Sequence, residues 1–162
     1  MTTCWLVLLL LVVPPGAQPA FEDYPAASPF TGTPAAANIE SHPAARRYRT
    51  ALRRASSRGP DFAGHFSFVR IGCGSSCNQF AVIDVQDGTV FFPRGLQMAQ
   101  WAGWWHEPAG PDYRLSSRLL VVGGVVNQDE TKGTYGISFF LWNGTDFELL
   151  RFEPRERGRP PR

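Results

Sequence analysis

Lysine is almost missing from this sequence: of its 16 basic residues, only Lys132 is not arginine. That one-sidedness fits the coding bias of a GC-rich genome and assigns no activity. A surplus of charge is missing too, since 14 acidic residues leave a formal net charge of +2. Domains that bind nucleic acid carry a dominant basic balance on one face, so no nucleic-acid partner is expected. Histidine is scarce, and none of the three has a second ligand at metal-binding spacing, so neither a metal nor a cofactor is expected. No serine stands in a nucleophile-elbow pattern and no glycine-rich phosphate loop precedes a helix, which removes the common catalytic signatures. No apolar run reaches the ~20 residues that a membrane-spanning helix needs.

The longest such run, residues 5–13 (W-L-V-L-L-L-L-V-V), has instead the length of a signal-peptide core. Pro14 and Pro15 end it, and the small residues Gly16, Ala17 and Ala20 follow. Residues 1–20 are therefore read as a signal peptide, and the expected location is periplasmic or secreted. Cys4 leaves with that leader. Cys73 and Cys77 remain as an even pair, and an oxidising compartment favours a bridge between them. Gly72 and Gly74 let the chain turn tightly enough for it. A loop this small constrains one turn, worth about 2 kcal/mol in the chain-entropy estimate.

The remainder has the size of one domain. Residues 21–40 are rich in Pro and Ala and read as a linker or strap. A helix is expected over 41–58, capped by Ser41, with Ala44, Tyr48, Ala51, Leu52 and Ala55 on one face and arginines elsewhere. Strands are expected at 63–71, 79–85, 89–92, 118–123, 135–142 and 147–152. Asp87-Gly88 and Asn143-Gly144 mark two tight hairpins. Residues 93–113 read as irregular, and 154–162 as a disordered basic tail. The triplet of segments 69–72, 80–83 and 87–89 parallels 120–123, 137–140 and 143–145, which suggests two three-stranded pseudo-repeats. Two such units cannot close a propeller. The expectation is a mainly β (α+β) domain: a six-stranded antiparallel meander, curled or as an open sandwich, plus one N-terminal amphipathic helix.

Four phrases carry a resemblance: Ala63-Gly64-His65-Phe66, then Gly72-Cys73-Gly74 with Cys77, Asp87-Gly88-Thr89-Val90, and Tyr113-Arg114 with Ser117-Arg118-Leu119-Leu120. Together they resemble a family of small exported bacterial proteins of unassigned function. The resemblance covers about half of the chain. It implies a compartment, and it carries no catalytic residue across.

The candidate binding surface is the cluster Trp101, Trp104, Trp105 and His106, with His65 as an outlying member. Indoles combine flat apolar area with an N–H donor and are enriched at interaction hot spots. Covering the sheet is the competing role for the three rings. The arginine-rich helix and basic tail are read mainly as solvated, with anionic lipid or cell wall as the alternative contact. The leading functional expectation is a non-enzymatic binding or accessory module, an inhibitor or an envelope-associated protein, whose partner is an envelope protein or a glycan. A small envelope hydrolase or thiol-disulfide protein using His65, Asp61 and the Cys73/Cys77 turn is the second.

Overall fold

A computed structural model of the chain describes residues 17–74, 77–127 and 134–156. The apolar run 5–13 and most of the basic tail lie outside the described residues. The fold is mainly β. Eight strands, β1 (Phe66–Gly74), β2 (Cys77–Asp84), β3 (Val90–Phe91), β4 (Met98–Gln100), β5 (Gly110–Tyr113), β6 (Leu119–Val126), β7 (Gly136–Trp142) and β8 (Phe147–Pro154), make one antiparallel sheet. Its order is β1-β2-β4-β6-β7-β8, with β3 added to β2 and β5 to β6.

Eight strands replace the six expected, and the simple pair of three-stranded repeats gives way to a joined sheet. The reason lies in how two strand edges are filled. β3 has only two residues and covers Val82 and Ile83 of β2, while β4 covers Cys77, Asn78 and Gln79. β5 likewise covers one part of β6, and β4 reaches Val125 and Val126. β4 therefore links the two halves. Both β4 and β5 fall in the stretch that reads as irregular, because segments so short show no alternation.

The sheet curls until one face of each half meets the other. Phe66 and Phe68 of β1, Phe80 and Val82 of β2, Leu120 and Val122 of β6, and Phe140 and Trp142 of β7 share this interior with Phe62 and Phe147. Phe66 and Trp142 pack with centroids 5.3 Å apart, and Phe68 and Phe147 at 6.2 Å, so the contact crosses between halves. Each such ring buries about 150–250 Å². At roughly 25 cal/mol per Å² this interior is the main source of stability.

Both outer faces are covered as well. Over the first half, Val69, Ile71, Ala81 and Ile83 meet Ala45, Leu52 and Ala55. Those three belong to a 3-10 turn (Ala45–Tyr48) running into α1 (Arg49–Ser56), shorter than the helix expected over 41–58. Ser41 does not cap it: its hydroxyl accepts the Val90 N–H, and the chain through Pro43 is held by Ala44 N–H donating to His42 Nδ1. Over the second half, Leu119, Val121, Ile137 and Phe139 lie under Trp104, Phe21 and Tyr24. Gly123 permits this cover, since a Cβ there would run into the Pro108 carbonyl oxygen.

The Pro/Ala-rich segment ahead of the helix behaves as a strap. Its backbone donates from Ala26 to Ser116, Phe30 to Gly64, Ala35 to Val85 and Asn38 to Gly88. At the far side, β8 presents Leu149, Leu150 and Phe152 to solvent, and Leu150 has no opposite number on β7. No helix among the described residues is long and apolar enough to cross a membrane.

Candidate functional site

Among the described residues, β1 pairs as a strand with β2 alone, its other edge met by a single Phe62–Phe66 bridge, and β5 with β6 alone, so each leaves most of one edge free. These edges approach one another. At one end they are tied through their flanking segments, with Ala63 N–H donating to Arg114 O and Gly64 N–H to Leu115 O. Farther along, rings replace hydrogen bonds: Phe68 and Tyr113 pack at 4.9 Å.

Asp61 sits in this seam. Its Oδ1 accepts the Phe68 N–H at 2.8 Å, so the carboxylate stands in for a missing strand partner. Its Oδ2 accepts the Tyr113 hydroxyl at the long distance of 3.4 Å. Burial pushes the Asp61 carboxyl above its ordinary range, against the opposing pull of the Phe68 N–H, the Tyr113 hydroxyl and the Arg58 charge. Burial, with the Asp61 charge behind it, pushes Tyr113 up to about 12, so its phenol keeps its proton.

An open cleft of about 720 Å³ lies over the seam, between α1 and the free edges. Arg54 and Arg58 line it from the helix side and Arg70 from β1, around Asp61, Tyr113 and Phe68. None of these three guanidiniums is in an ion pair with a carboxylate among the described residues. Arg70 lies over the Trp101 ring at 5.8 Å, which steadies it without neutralising it. The cleft therefore gathers many donors around one partly occupied carboxylate, and a ligand with acceptor oxygens suits it.

The residues singled out from sequence do not form one surface. Trp104 is 3% exposed, donates Nε1–H to Pro108 O at 2.8 Å, and stacks on Tyr135. It belongs to the cover of the second half. Trp101 is half-buried and meets the cleft only by lying under Arg70. Trp105 is 49% exposed. His106 is exposed, with Nε2 3.0 Å from Glu156 O. His65 packs on Phe66 and places Nε2 3.6 Å from Asp84 Oδ2. Cys73 and Cys77 lie at bonding distance across the β1–β2 turn. They stand at the opposite end of β1 from His65, about 26 Å along an extended strand. The structure thus brings Asp61 to Tyr113 and to the arginines, and it brings neither His65 nor the cysteines to them. Arg58, Arg70 and Tyr113 are the site residues that sequence reasoning passed over, while Arg54 belongs to the arginine-rich helix face that was read mainly as solvated.

Comparison of the chain with protein-family models, with curated proteins and with solved structures finds no match in any of the three.

Proposed function

We propose that this protein is a non-enzymatic binding module of the cell envelope, which holds an anionic ligand in the arginine-lined cleft. The observation that carries the reading is the convergence of three guanidiniums without carboxylate partners on one concavity. Of the other arginines, Arg46 pairs with Glu40, Arg114 with Glu22, and Arg151 and Arg155 with Glu153, whereas Arg47, Arg49, Arg53, Arg94 and Arg118 have no carboxylate partner among the described residues. What sets Arg54, Arg58 and Arg70 apart is that they converge on one concavity, where their charge is available to something that arrives from outside. The signal-peptide pattern at residues 5–13 and the bonded cysteine pair support an exported location.

Trp101 supplies the assay, because Arg70 lies over its ring and movement of that guanidinium alters indole emission. Titration with an anion panel of phosphate, sulfate and galacturonate should give saturable fluorescence changes that weaken with added salt. A hydrogen bond to a charged group contributes about 1.5–3 kcal/mol, so Arg54→Gln or Arg58→Gln, which leave Arg70 over Trp101, should each weaken binding by roughly tenfold or more. Unchanged affinity in both variants, or no saturable response to any anion, would end this reading.

Thiol-disulfide chemistry is a second reading with one observation in its favour: Cys73 is exposed at the hairpin tip. Two thiols titrating readily in the native protein would support it, whereas a bridge inert to mild reductant would argue for a staple.

A further inference from the structure

We infer that the ligand of the cleft is an acidic sugar, a ring that carries both hydroxyl groups and a carboxylate or phosphate. The inference rests on the anion-binding reading above and adds a second chemical requirement to it.

Size comes first. A cleft of about 720 Å³ lies within the ~300–1,000 Å³ usual for small organic ligands and is far larger than an inorganic oxyanion requires. Polarity comes next. The arginines at the rim donate and cannot accept, so they call for anionic or carbonyl oxygens. Asp61 among them does the reverse. An ionised carboxylate offers about four acceptor positions, and here the protein fills one well, from Phe68 N–H at 2.8 Å, and one loosely, from Tyr113 at 3.4 Å.

A fully ionised oxyanion such as sulfate, seated on the arginines, has no hydroxyl to give Asp61 and meets its negative charge, and phosphate, which can donate a P–OH, fills only a small part of the cleft. A neutral sugar satisfies Asp61 and leaves the guanidiniums with no charge to match. An acidic sugar serves both, its anionic group on Arg54, Arg58 and Arg70 and a ring hydroxyl donating to Asp61. The walls suit such a ring: Pro111 and the Tyr113 ring, both part-exposed, line the same cleft and offer apolar surface to its C–H face.

The decisive measurement is the sign of the change in Asp61→Asn. The substitution keeps an oxygen for the Phe68 N–H and removes the charge. For galacturonate or glucose 6-phosphate, affinity should fall about tenfold, because a charge-assisted acceptor is lost. For sulfate, which has no proton to donate, affinity should rise several-fold, because a like charge is lost. A ligand series on the unaltered protein gives an independent check: cyclohexanecarboxylate, with the ring and charge of galacturonate but no hydroxyls, should bind at least tenfold more weakly than galacturonate, and galactose more weakly still. Stronger binding of galacturonate by Asp61→Asn, or equal binding of cyclohexanecarboxylate and galacturonate, would overturn the sugar while leaving an anion site. Arg54→Gln and Arg58→Gln both without effect on any ligand would remove the anion site itself.

Discussion

The two halves of the sheet are built alike and finished differently. Each is a curled antiparallel unit with an apolar inner face, and each has an outer face hidden under a cover. The cover of the second half is aromatic, and the arginines of that half are tied down: Glu153 holds Arg151 at 2.8 Å and Arg155 at 2.7 Å, Arg114 pairs with Glu22, and Arg118 donates to the Pro25 carbonyl oxygen. The first half is covered by α1, and Arg54, Arg58 and Arg70 beside it carry no such partner. Structure is equally complete on both sides, so the open charge does not reflect unfinished packing. It marks the side on which binding is expected.

Removing what the halves share should have the largest effect. Phe62 is fully buried and touches Phe68 from one half and Trp142 and Phe147 from the other. Phe62→Ala should cost about 3–5 kcal/mol, and denaturant unfolding followed by fluorescence and by circular dichroism should remain a single transition. Two separated transitions would show that the halves are independent units.

Next comes the aromatic cover. Trp104→Ala should destabilise by about 3 kcal/mol or somewhat more, while Trp105→Ala should stay within about 0.5 kcal/mol. Neither should change anion affinity beyond its effect on the folded fraction. Loss of binding in a well-folded Trp105→Ala protein would move the site to the second half.

The smallest effect is a pH dependence confined to the first half. Burial raises the folded Asp61 carboxyl above the ordinary value of 3.8, so the native state holds this proton to higher pH than the unfolded chain does. Its stabilising share is full below the unfolded value and is lost as pH rises through the folded one. Asp61→Asn has nothing to titrate. It should therefore be more stable than the parent at pH 7, with the difference shrinking to nothing toward pH 3 in paired thermal melts. The opposite slope would mean that Arg58 and the hydrogen bonds outweigh burial.

Much of the sheet was readable because alternation and turn chemistry act locally. Phe66, Phe68, Phe80 and Val82 point one way and Val69, Ile71, Ala81 and Ile83 the other. Gly88, at φ +83°, closes the Asp87-Gly88 turn in a conformation that favours glycine. β4 and β5 escaped because strands of three and four residues owe their pairing to neighbours far along the chain. The cleft was legible only in fragments. Asp61 was noticed, but beside His65, because sequence offers near neighbours, whereas Tyr113 lies 52 residues away. One signal was present and unused: Arg70 follows Phe66 and Phe68 at two-residue spacing, so a charge occupies a position whose periodicity calls for an apolar side chain.

The rim formed by β8 raises a different matter, that of self-association. A strand edge carrying Leu149, Leu150 and Phe152 invites another chain to zip onto it. Here Glu148 and Arg151 interrupt the apolar residues, and the unmatched Leu150 bends the ladder out of register. Resistance to edge-to-edge association in concentrated solution thus rests on two charged side chains and one extra residue, at the end of the fold remote in sequence from the arginine cleft.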